Sequence, residues 1–208
     1  PGPGGRARAM LRAVPLLLLL LAGLAVKGAI RLVERPLCGL RRPASPWVTV
    51  AVCRAALAIL GLRSEVRGRP MRGAGAMVAN HSSWLDIFAL NARAPVVLLF
   101  FPEGTSTDGR RVLPFKPALF AGLLDPALPA GLCVQPVTLD WRAPEGEDPR
   151  FYGWWGGAHF GAHALAVLAC RRPGSVQVTF HPPIPVAGRD RKALAAQAEA
   201  RVREGLRG

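Results

Sequence analysis

His81 and Asp86 stand in the run Asn80-His81-Ser82-Ser83-Trp84-Leu85-Asp86. An imidazole can take a proton near neutral pH, and a carboxylate on one ring nitrogen leaves the other nitrogen as the base. Spacing alone does not make that pair. In a continuous helix, residues five apart lie about 140° from each other around the axis and do not meet. The pair forms only if His81 sits in a loop before the helix and Asp86 in the first turn, so that the carboxylate folds back. The simpler reading of the same spacing is a capping box, with Ser83 and Asp86 closing a helix N-terminus and His81 a solvated loop residue.

A second segment, Phe100-Phe101-Pro102-Glu103-Gly104-Thr105-Ser106, follows an unbroken apolar run. Gly104 permits a tight turn or a close approach of backbone, and Thr105 and Ser106 offer hydroxyls and amides to an anionic group. The alternative is an ordinary turn between a strand and a helix. Gly104-Thr105-Ser106-Thr107-Asp108 nearly imitates a serine-hydrolase nucleophile elbow, but Asp108 stands where the second glycine belongs.

These residues need elements to carry them. Residues 74–79 are short, apolar and bounded by glycine and Asn80, and read as a strand. Residues 83–92 read as a helix with Ser83 at its N-cap, stopped by Pro95. Residues 96–101 read as a buried strand, and a helix follows Pro117 to about Leu124. Residues 132–139 and 175–181 read as strands, residues 158–169 as a helix, and Asp190 caps a last helix presenting Leu194, Ala198, Val202 and Leu206 on one side. Alternating strands and helices imply an α/β layered sheet with flanking helices.

The first third of the chain differs from this body. The chain has 208 residues, 50% hydrophobic, with a formal net charge of +14. Thirteen basic residues and only Glu34 and Glu65 fall in residues 1–72, so the excess charge is concentrated there. Residues 13–26 form a pure apolar run after Met10 and Arg12, and residues 47–62 form a second, broken by Arg54. Basic residues flanking apolar runs point to an anionic membrane surface. They do not point to nucleic acid, because no nucleic-acid motif accompanies the charge. A cleaved signal peptide is disfavoured because Lys27 occupies the position of a small-residue cleavage box. The second run reads equally as an interfacial helix or a buried core helix. The expected organisation is a disordered leader or miscalled start over 1–9, membrane-anchoring helices and a basic connector over 10–72, an α/β domain over 73–187 that is internally shortened near 94–100, and a C-terminal helix over 188–208.

The remaining candidates are weaker. Cys38, Cys53, Cys133 and Cys170 are widely spaced, which argues against a zinc site or a disulfide framework. His159 and His163 share a helix face, but no third ligand accompanies them, so no metal is expected. Phe151-Tyr152-Gly153-Trp154-Trp155 is an aromatic cluster suited to an acyl pocket, a lipid interface or core packing.

Taken in order, the segments resemble the glycerolipid (1-acyl-sn-glycerol-3-phosphate) acyltransferase family, PlsC-like. Residues 80–86 resemble its catalytic His-x4-Asp motif, and Phe101-Pro102-Glu103-Gly104-Thr105 its acceptor-binding motif. Pro114-Phe115-Lys116 and Val134-Gln135-Pro136-Val137 resemble its later basic and proline-containing motifs. The resemblance implies His81 as general base and Asp86 as its orienting partner. It implies that Glu103, Gly104, Thr105 and Lys116 bind the acceptor. It also implies acyl transfer without a cofactor, from acyl-CoA or acyl carrier protein to the hydroxyl of a lysophospholipid, with lysophosphatidic acid the default and lyso-ornithine lipid the alternative. The expected location is the cytoplasmic membrane of a bacterium, with the site facing the cytoplasm.

The chain departs from the family at one place. A further family motif, centred on an arginine that contacts acceptor phosphate, belongs between the two segments, yet only residues 87–100 separate them here. Arg93 is the one basic residue in that gap and is no substitute. An internal deletion joining residues 94–97 to 98–100 is the expectation. It makes a catalytically impaired, membrane-associated remnant the alternative to an active enzyme.

Overall fold

The computed structural model describes residues 2–39, 41–95 and 98–207. Two helices open the chain, α1 (Pro3–Cys38) and α2 (Ser45–Leu60). Strand β1 (Arg63–Arg67) and strand β2 (Gly75–Ala79) follow, then helix α3 (Leu85–Asn91) and the short strand β3 (Leu99–Phe100). A 3-10 helix (Pro117–Leu124) leads to β4 (Cys133–Arg142), α4 (Phe160–Ala169), β5 (Ser175–Phe180), β6 (Ile184–Pro185) and α5 (Arg191–Arg207). The strands form one mixed sheet in the order β1-β5-β4-β2-β3, with β6 also on β4. Parallel pairing of β2 with both β3 and β4 is what brings the two candidate segments to the same edge.

Strand β4 alternates as a two-sided strand must. Val137, Leu139 and Trp141 enter the core layer shared with α2, α3 and α4. Val134 enters the other layer, where Leu194, Ala195, Ala198 and Val202 of α5 are buried. The C-terminal helix is therefore one of the covering layers of the α/β body and not an addition to it.

Four expectations change. The basic connector is partly a strand: β1 runs parallel to β5, from Arg63 opposite Ser175 to Arg67 opposite Thr179. Its alternation of charge suits an edge that must stay soluble and unpaired on one side. Residues 3–9 are helical, and Ala9 is buried. The segment after Lys116 winds as a 3-10 helix, opened by a Leu119 amide bond to the Lys116 carbonyl. Of the strand expected over 96–101, Leu99–Phe100 is observed, and residues 96 and 97 lie outside the described residues.

Helix α1 is long and apolar enough to cross a membrane, with an 18-residue window of mean hydropathy 2.3 that is only 6% buried. It is fastened at both ends. Arg8 donates to the Ala169 carbonyl, and Arg12 to the Leu168 and Cys170 carbonyls, so two cations meet the negative end of α4. Further along, Lys27 donates to Thr49 at 2.8 Å, and Glu34 accepts from the Ala44 and Ser45 amides at the start of α2. Helix α2 buries one face in the core and leaves part of its first turn open. Cys53, Leu57 and Leu60 are core, while Trp47 is 57% exposed.

Candidate active site

The site begins where β2 leaves the sheet. The Asn80 side chain continues the ladder in place of backbone: Nδ2 donates to the Leu139 carbonyl at 2.9 Å, and Oδ1 accepts from the Leu139 amide at 2.8 Å. This ends the strand at a fixed angle and delivers His81 to its rim. The His81 backbone is then held on both sides. Its amide donates to Glu103 Oε1 at 2.7 Å, and its carbonyl accepts from the Thr107 amide at 2.8 Å.

The His81 ring lies flat on Phe101, centroids 4.2 Å apart, with Nδ1 2.9 Å from Asp86 Oδ2. A carboxylate only accepts, so the shared proton belongs to Nδ1 and the neutral ring keeps its lone pair on Nε2. Among the described residues Nε2 has no hydrogen-bond partner, and the side chain is 22% exposed against 0% for Asp86. The arrangement can take a proton from a group arriving at Nε2 and hold the resulting cation against a buried carboxylate.

The capping box forms only by half, and His81 is held rather than solvated. Asp86 Oδ2 also accepts from the Ser82 and Ser83 amides at 2.8 and 2.9 Å, whereas the Asp86 amide bonds the Ser83 carbonyl and not its hydroxyl. Because those amides turn onto the carboxylate, the helix starts at Leu85, two residues later than expected. Asp86 Oδ1 accepts from the Trp141 indole at 2.7 Å.

Glu103 faces inward. It is 2% exposed, and its two oxygens take the His81 and Leu113 amides, the latter at 2.8 Å. Burial pushes its carboxyl above the usual range, against the pull of those two amides and of His81. Both of its oxygens are thus occupied by backbone amides, one of them that of His81. Gly104 has φ of 70°, and a Cβ there would come 2.5 Å from Lys116 Nζ, so the lysine lies across the glycine. The Lys116 amide in turn donates to the Pro102 carbonyl at 2.8 Å. Thr105 and Lys116 are exposed beside this turn. Glu103, Gly104, Thr105 and Lys116 therefore sit together with the His81–Asp86 pair. Arg93 does not: it bonds Ser64 of β1.

Two elements reach in from sequence-distant positions. The Trp154 amide donates to the Ser82 carbonyl at 2.7 Å, so the loop before α4 clamps the loop that carries His81. Trp84 donates to His163 Nδ1 at 3.0 Å, and His163 Nε2 lies 3.2 Å from the Phe151 carbonyl. Both His163 nitrogens are thus engaged in packing, and burial pushes its titration down. Trp141 was not legible as a site residue. The period-2 pattern of β4 puts it in the core, but nothing local announces a carboxylate partner.

No protein-family model matches the chain. The crystal structure of the 1-acyl-sn-glycerophosphate (LPA) acyltransferase PlsC from Thermotoga maritima has the same fold, with a TM-score of 0.54 and 19% identity over 94% of this chain and 96% of that one. A lyso-ornithine lipid O-acyltransferase of Rhodobacter capsulatus is 44% identical over 255 residues, covering 99% of this chain and 92% of the relative. Another, from Pseudomonas aeruginosa, is 30% identical over 258 residues, covering 98% and 95%. Fold and relatives together define an acyltransferase of lysolipids, and its α1 is long and apolar enough to cross a membrane. The chain belongs to the PlsC-like glycerolipid acyltransferase family, and its relatives are bacterial. Both aligned stretches are longer than the chain's 208 residues, so the relatives carry residues that have no counterpart here.

Proposed function

We propose that the protein acylates the free hydroxyl of lyso-ornithine lipid, taking the acyl group from an acyl thioester of CoA or of acyl carrier protein. The observation that carries the reading is the His81 Nδ1 to Asp86 Oδ2 bond at 2.9 Å, which leaves Nε2 as a base. Nε2 takes the hydroxyl proton as the oxygen attacks the thioester carbonyl. Asp86 holds the imidazolium, and collapse of the tetrahedral adduct returns the proton to the departing thiolate. The acceptor reading moves from lysophosphatidic acid to lyso-ornithine lipid because relatives at 44% and 30% identity carry that name. Ornithine offers a carboxylate, and the exposed ammonium of Lys116 over Gly104 suits it. Glu103 acts through the His81 backbone. The location is the cytoplasmic membrane with the site on the cytoplasmic side, and the basic N-terminal third favours anionic lipids.

The test is turnover by purified protein in micelles with each acceptor and each thioester donor. The expected result is acyl transfer to lyso-ornithine lipid, abolished in His81→Ala. Preference for lysophosphatidic acid overturns the acceptor assignment. A second reading, the catalytically impaired remnant, is favoured by the relatives' unmatched residues, which the shortened gap over 87–100 would accommodate. Under that reading the folded protein is silent with every pair, and grafting the relative's residues into that gap restores turnover.

A further inference from the structure

Asp86 is held by four donors, divided unevenly. The His81 ring and the Ser82 and Ser83 amides converge on Oδ2, whereas Oδ1 has one donor among the described residues, the Trp141 indole at 2.7 Å. Asp86 is 0% exposed and Trp141 is 7% exposed, so bulk solvent does not replace that donor. We propose that Trp141 is a positioning residue that sets the basicity of His81 through Asp86, an inference that rests on reading His81 as the base.

A donor on Oδ1 stabilises the anion, and does so most when the neighbouring ring is neutral, because no imidazolium then shares the task. The indole therefore weakens the grip of Asp86 on the imidazolium and leaves more His81 in the proton-accepting form at neutral pH. It also fixes the carboxylate plane, since Oδ1 is tied to β4 while Oδ2 faces the ring. A role in packing alone is the competing explanation, because Trp141 lies 5.1 Å from Tyr152, centroid to centroid, inside the core. Packing predicts lost stability with no change in the titration of His81.

Other charges face the pair, and the comparison must hold them constant. Glu103 accepts from the His81 amide, the Lys116 ammonium lies over Gly104, and His163 bonds Trp84 beside Asp86. On β4, Asp140 and Arg142 flank Trp141 and lie near each other, with Arg110 acting on Asp140. None is altered by Trp141→Phe, which keeps an aromatic ring and removes only the indole donor.

The experiment follows the ring resonances of His81 against pH in the full chain, 15N-labelled at histidine in micelles. His81→Asn identifies its signal among those of the four histidines. In Trp141→Phe the His81 midpoint is expected to rise by about one pH unit, a roughly tenfold tighter hold on the proton. Tyr152→Phe, which loses only the Gly174 amide bond at 2.8 Å, is expected to leave it in place. An unmoved midpoint in folded Trp141→Phe overturns the proposal. If that variant does not fold, 5-fluorotryptophan replaces all five tryptophans. Its more acidic N–H strengthens the bond, so the midpoint is expected to fall, and a midpoint that stays or rises overturns the proposal. The readout needs no turnover. A silent enzyme with a shifted midpoint defeats the functional reading alone, and turnover with an unmoved midpoint defeats this inference alone.

Discussion

Asp86→Asn separates what the carboxylate's shape does from what its charge does. The amide has one acceptor oxygen and one NH2 group, and the site decides which goes where. With oxygen at the Oδ2 position, the Ser82 and Ser83 amides and the His81 Nδ1–H keep their acceptor, and only the Trp141 indole meets a donor. The flipped amide satisfies the indole and leaves both serine amides facing NH2, so the first orientation wins by one hydrogen bond. His81 then keeps its tautomer but loses the anion that holds the imidazolium. A hydrogen bond to a charged partner is worth about 1.5–3 kcal/mol, so turnover is expected to fall about 10- to 150-fold. That is less than the roughly 10⁴-fold loss met where an aspartate-to-asparagine change imposes the wrong tautomer. Stability falls as well, because a buried indole N–H opposite NH2 costs about 1–3 kcal/mol. That cost has a signature. In a Trp141→Phe background the opposing donor is gone, and Asp86→Asn should cost measurably less, a coupling read from a double-mutant cycle of thermal melts. Initial rates on lyso-ornithine lipid give the catalytic half. Additive stabilities, or turnover within about threefold of the parent, would falsify the reasoning.

Three further outcomes follow from the same geometry. Burial raises the Glu103 carboxyl above its ordinary 4.5, so the folded state holds that proton more tightly than the unfolded chain. Its contribution to stability is full below the ordinary value and is lost as pH rises through the folded one; pH-dependent melts should show this slope in the parent and its absence in Glu103→Gln. Gly104→Ala forces a side chain into φ of 70° and against Lys116 Nζ. It is expected to cost about 1–2 kcal/mol in a melt and to raise KM for the acceptor more than it lowers kcat. Arg12→Ala removes two bonds to the end of α4. It should lower stability by about 1–2 kcal/mol and speed hydrogen exchange at residues 160–169, while the His81 midpoint stays fixed.

What the chain order determined is large: a buried strand ending at Asn80, a helix after Ser83, an apolar run ending in a glycine turn, and excess positive charge concentrated in the first third. Those are local consequences of apolar period, proline and glycine, so 75–79, 160–169 and 175–180 were legible as elements within one or two residues. Local rules also presented capping and dyad as rivals, since each needs only Ser83, Asp86 and His81. Only the folded chain shows that one carboxylate does both, with one oxygen gathering three donors and the other reaching β4. The same holds for Glu103. The family resemblance implies that it binds the acceptor, and only sheet order, which brings the loop after β3 beside the end of β2, shows that it also takes the His81 amide. Arg63–Arg67 read as a connector because an edge strand needs no apolar pattern, and only pairing with β5, more than a hundred residues away, makes it one. Sequence spacing determines which groups can meet within a turn of helix. Which carboxylate oxygen meets a tryptophan fifty-five residues on depends on register between strands, and register is a property of the packed sheet.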